Sequence, residues 1–170
     1  MTVRQFILTI SAAALLLTTA GLTPLSADSR DIFVSIVPQR YFVEQIAGGR
    51  FNVEVMVPPG AHPATYEPAP KQMAALAGAE LYFAVGVPFE DAWMDRIRSA
   101  NPDLKIIRTD AGIEKRLMEG AHTHGDHDHG GGDPHIWLSP PLVMLQARHI
   151  LTALIHADPQ NAESYLSNYQ

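Results

Sequence analysis

Eight histidines and no cysteine confine any metal chemistry of this chain to imidazole and carboxylate ligands, and also exclude thiol nucleophiles, disulfides and a lipid-bearing N-terminal cysteine. His122, His124, His127 and His129 crowd into one stretch with Asp126 and Asp128, followed by three glycines. A backbone that flexible makes no rigid cage, so the tract predicts weak, fast, multi-site binding. Imidazole favours zinc, copper or nickel over magnesium and calcium. His62 lies in VPPGAHPATYEP, where Pro58, Pro59, Pro63, Pro68 and Pro70 restrict the backbone and hold the imidazole near one place. On the loop alone, a metal ligand and a surface histidine in a proline-rich turn stand side by side. His135 lies in DPHIWLSP. There Asp133 is placed to orient a ring N–H or cap the turn, and Trp137 to wall the site from water. The alternative is a histidine at a helix entry, bonded to backbone.

The remaining candidates read more simply. His149 and His156 fall outside the main apolar face of a late helix, as solvated surface residues. Glu90 and Trp93 either line a cleft or serve as a helix-start carboxylate and a core tryptophan. No Gly-x-Ser-x-Gly elbow, P-loop, GxGxxG or His-Glu-x-x-His helix occurs, so nothing argues for catalysis.

The elements that must position these residues follow from periodicity. Strands are predicted over 31–37, 51–57, 80–85 and 104–108, each followed by a turn and alternating with helices after Pro38, over 71–77 and over 89–100. That alternation predicts an α/β fold with a four-stranded parallel sheet flanked by helices, and His62 and His135 in loops at the carboxyl ends of its strands. Residues 111–132 dissolve into charge, glycine and histidine, a stretch longer than usual for a compact domain and expected to be mobile. Ser139 then caps a helix with Pro140 at its first position, Asp158–Pro159 ends it, and 161–170 begin another. A formal charge of −6 excludes a polybasic nucleic-acid binder, and 46% hydrophobic against 18% charged residues suits one packed domain.

Residues 1–27 read as a cleaved export signal: Arg4 supplies the positive start, 6–22 are apolar, and cleavage is expected after Ala27, with Ala20 as the alternative. Removing Arg4 takes the formal charge from −6 to −7. The product is expected in the periplasm without a membrane span.

Taken together, VPPGAHPATYEPAPKQMAAL, AELYFAVGVPFEDAW, the His/Asp-rich insert and DPHIWLSPPLV resemble the N-terminal half of the zinc- and manganese-binding solute-binding proteins of bacterial ABC importers. The resemblance implies two βα lobes joined by a long rigid helix, a metal held in the cleft by histidines and a carboxylate, and delivery to a membrane permease. His135 falls on the family's second ligand. His62 falls in the first-ligand loop with an offset, since many members carry histidine where this chain has Ala64. The family's third ligand, usually histidine, and its acidic fourth lie in a C-terminal lobe that this sequence is expected to lack. Residues 28–160 would then be the N-terminal metal-binding lobe, with the His-rich loop at 119–132, and 161–170 the start of the linking helix.

Three functions compete on this reading. The first is capture of Zn2+ for an importer, with a manganese-specific relative as its variant. The second is a zinc buffer or chaperone working chiefly through the histidine loop, and the third is a zinc hydrolase. Zinc over Mn2+ rests on nitrogen-rich ligands. A site with two protein ligands is expected to bind far more weakly than a four-ligand relative.

Overall fold

The computed structural model describes residues 30–117 and 132–170. The expected export signal and the four histidines from His122 to His129 therefore lie outside the described residues. Strands β1 (Arg30–Ile36), β2 (Phe51–Val57), β3 (Leu81–Ala84) and β4 (Lys105–Arg108) form one parallel sheet in the order β2-β1-β3-β4. Helices α1 (Val37–Ala47), α2 (Pro70–Leu76) and α3 (Pro88–Ala100) make the crossovers. After β4 come a 3-10 turn (Ile136–Leu138), α4 (Pro140–Ala157) and α5 (Ala162–Tyr169).

Alternation along the strands sorts the core into two layers. Phe33 and Tyr82 face α2 and α3 and pack with Leu76, Phe89 and Ile97, whereas Ile32, Val34, Leu81 and Phe83 face α1, α4 and α5 and pack with Val43, Ile150, Leu154 and Tyr165. Covered on both sides, β3 is buried at every position, which is why LYFA reads as a continuous apolar run. Because β1 pairs with β2 on one side and β3 on the other, the chain reverses direction across β1. The crevice beyond the carboxyl ends of β1 and β3 is thus the switch point where such sheets bind ligands.

Two expectations need correction. Residues 111–117 have no helix or strand but are anchored: Lys115 Nζ donates to the Gly86 carbonyl at 3.0 Å and pairs with Asp110 at 2.8 Å. His149 is half-buried and not simply solvated; its Nε2 lies 3.1 Å from the Ala111 carbonyl oxygen and ties α4 to this segment. Burial opposes ionisation of Asp110, yet bonds from Arg108 and Lys115 outweigh it and hold its carboxyl at about 2. Ser139 stands at the N-cap of α4, but its side chain makes no capping bond.

Candidate metal centre

His135 is the better prepared of the two candidate ligands. Ile136 is buried in the core and fixes the backbone there, while the His135 side chain remains 55% exposed at the rim. Asp133 Oδ1 accepts the backbone N–H of His135 at 3.0 Å and lies 2.6 Å from its ring Nδ1. Those bonds, the backbone one first, hold the Asp133 carboxyl below its usual range. An ionised carboxylate only accepts, so Nδ1 carries a proton and, in the neutral ring, Nε2 keeps the lone pair. The Trp137 ring stands 5.1 Å from the imidazole and tilted to it. We predict that Asp133→Asn weakens zinc binding by about tenfold, because an amide no longer enforces that tautomer. Competition against a chromogenic chelator measures it, and an unchanged affinity would remove Asp133 from the site.

His62 is exposed on the loop between β2 and α2. Its Nδ1 accepts the backbone N–H of Ala64 at 3.1 Å, so the lone pair of a neutral ring is already engaged. To bind a metal the imidazole must release Ala64 or turn. Residues of TYEPAP hold this loop: Tyr66 meets Phe89 edge-on at 6.0 Å and bonds Gln72, which in turn donates to the Met56 carbonyl at 2.8 Å and accepts from Ala69 at 3.0 Å. Phe89 N–H donates to the Pro63 carbonyl at 3.1 Å.

A cavity of about 200 Å³ joins the two loops, lined by Ala61 and Pro63 on either side of His62, by the ends of β1 and β2, and by Trp137. His135 itself lines a second cavity of about 620 Å³ with Lys115, Arg116 and Asp133. The loop of His62 and the segment of Trp137 thus border one cavity at the carboxyl ends of β1 and β2, whereas His135 lines the other cavity and His62 lines neither of the two. Among the described residues, no group of three or more His, Asp or Glu side chains gathers into a complete metal site.

A buried polar cluster behind this edge escaped the sequence reading. Glu90 is 1% exposed; its Oε1 accepts from Ser35 Oγ at 2.5 Å and Val85 N–H at 2.9 Å, and its Oε2 accepts from Gly86 N–H at 2.9 Å. Tyr82 completes the chain, its hydroxyl donating to Ser35 Oγ at 2.8 Å because the serine proton is committed to Glu90. Burial pushes the Glu90 carboxyl above its usual range, while Ser35 and the two backbone N–H groups pull it back only in part. Beside it, Gln39 accepts from Ser35 N–H and donates to Thr109 Oγ1, each at 3.0 Å. A polar serine inside the otherwise apolar run of β1 was the available signal. Glu90 thus stands in the first turn of α3 as a helix-start carboxylate, buried rather than lining an open cleft, and Trp93 is a partly buried core neighbour under Arg96.

The family model described as zinc-uptake complex component A, periplasmic, matches residues 32–170. The chain belongs to this family. The family is one of solute-binding proteins for metal uptake, not of enzymes. A manganese-binding lipoprotein, MntA, of Halalkalibacterium halodurans is 31% identical over 126 residues, which are 74% of this chain and 39% of MntA. An iron ABC transporter substrate-binding lipoprotein, MtsA, of Streptococcus pyogenes is 30% identical over 131 residues, 72% of this chain and 40% of MtsA. A crystal structure of a ZnuA deletion mutant with zinc bound superimposes with a TM-score of 0.75 at 43% identity, covering 84% of this chain and 52% of that one. The chain spans about half or less of the length of the curated relatives it matches, their N-terminal portion. Among the described residues no helix is long and apolar enough to cross a membrane.

Proposed function

We propose that this chain is the N-terminal lobe of a periplasmic zinc-capture protein, exported by residues 1–27, that serves the permease of an ABC importer. His135 and His62 are its ligands. His122, His124, His127 and His129 act as accessory zinc ligands that raise the local metal concentration. Residues 161–170, which include α5, begin the helix leading to a second lobe that carries the remaining ligands. The observation that supports this reading best is the Asp133 carboxylate 2.6 Å from His135 Nδ1, which commits the opposite nitrogen to an incoming cation.

Zinc is favoured over manganese because the lobe offers imidazole nitrogens, whereas carboxylate, carbonyl and water donors suit manganese. Relatives named for manganese and iron make this choice the point to test. Calorimetric titration of the full chain should show zinc binding at least about a hundredfold tighter than manganese, a difference of about 2.7 kcal/mol. Equal affinity would refute the zinc assignment. Imidazole ligates only when neutral, so zinc affinity should fall as the solution is acidified from about pH 7 to about pH 5. Affinity that holds constant from pH 7 to 5 would indicate carboxylate ligation instead.

A further inference from the structure

Glu90 is expensive where it stands. It is buried to 1% exposure, and the groups that contact its oxygens are neutral: one hydroxyl and two backbone N–H donors. A carboxylate in such a place costs free energy that an apolar side chain would not. Its three donors come from two separate parts of the chain, Ser35 at the carboxyl end of β1 and Val85–Gly86 in the turn from β3 to α3. Glu90 therefore ties that turn to the central strand at the switch point of the sheet.

What hangs from this tie is the loop of His62. Phe89, the residue before Glu90 in the first turn of α3, donates its N–H to the carbonyl of Pro63, the residue after His62. The Phe89 ring also supports Tyr66 from the same loop. We propose that Glu90 is a positioning residue for metal capture: by fixing the first turn of α3 against β1, it sets the place of the Pro63 carbonyl and hence of the His62 imidazole. The proposal rests on the reading of His62 as a ligand.

Only a carboxylate satisfies all three donors. In Glu90→Gln the amide nitrogen must face either Gly86 N–H or Val85 N–H, so one backbone donor loses its acceptor whichever way the amide is turned. The turn must shift, and α3 and Pro63 with it. The expected result is about tenfold weaker zinc binding for Glu90→Gln, in the range typical of residues that orient a ligand. Affinity is read with zinc chloride alone, below one equivalent, against a chromogenic chelator, using the full chain.

The decisive comparison is a double-mutant cycle with His62→Ala. Once the imidazole is gone its placement no longer matters, so the double variant should bind zinc as His62→Ala does. Urea unfolding should show the same stability loss from Glu90→Gln in both backgrounds, as expected when the fold cost is independent of the imidazole. Fully additive losses of affinity, or a Glu90→Gln variant that binds like the original, would overturn the proposal while leaving His62 as a ligand. A His62→Ala variant that binds zinc undiminished would overturn the ligand reading and the proposal together. Should Glu90→Gln fail to fold, Ser35→Ala removes one of the three donors, together with the acceptor of the Tyr82 hydroxyl, and should weaken binding by about threefold, again with no further loss when His62 is absent.

Discussion

His135→Ala is expected to lower the zinc affinity of the full chain by about 100-fold, equivalent to about 2.7 kcal/mol. The size follows from how this imidazole is prepared. Its tautomer is set by Asp133, its backbone is fixed by the buried Ile136, and Trp137 flanks it, so an incoming ion meets a nitrogen that needs no rearrangement. His62→Ala should cost less, because that ring must first surrender its bond to Ala64. Competition with a chelator separates the two. A His135→Ala loss under about threefold would hand the function to the histidine tract instead, as in the buffering alternative, and two equal losses would contradict the difference in preparation.

Gly86→Ala should destabilise the fold by about 3 kcal/mol, a loss belonging to the class of strained backbone combined with steric overlap. Gly86 has φ +77°, and a Cβ there would overlap the Asp110 carboxylate and the Lys115 ammonium. Asp110 cannot retreat easily, since Arg108 holds both its oxygens at 2.8 Å. Gly112 is the internal control. It has a similar φ of +74° but nothing within 4 Å of its would-be Cβ, so Gly112→Ala should cost only about 1 to 2 kcal/mol of left-handed strain. Urea unfolding of the two variants measures the difference; equal losses would show that the ion pair above Gly86 yields freely.

Local sequence carried the sheet because each strand is short and β-branched or aromatic, the first three closed by proline or glycine and the fourth preceded by the turn Asn101–Pro102–Asp103. Four strands, their parallel arrangement and the helices between them were legible, with ends misplaced by one residue or so, as at Leu81 and Lys105. DPHIWLSP was legible as a candidate site because Asp133, His135 and Trp137 are near neighbours in sequence. The role of Glu90 was not, since its partner Ser35 lies 55 positions away and nothing local distinguishes a buried carboxylate from one at an exposed helix start. The anchorage of residues 111–117 was not legible for the same reason: Lys115 stands in a charge-rich stretch, and its acceptor is Gly86, 29 positions earlier. The competing bond from Ala64 to His62 depends on the ring rotamer, which no spacing rule encodes.

The backbone N–H of Asp133 meets the carbonyl of Arg116 at 2.6 Å. The segment 117–132 is therefore closed at its base by one backbone hydrogen bond. Its length is free to drift, because doubling a closed excursion costs only about 0.6 kcal/mol. An insert of another length or sequence should therefore leave the candidate ligand His135, two residues beyond the staple, undisturbed.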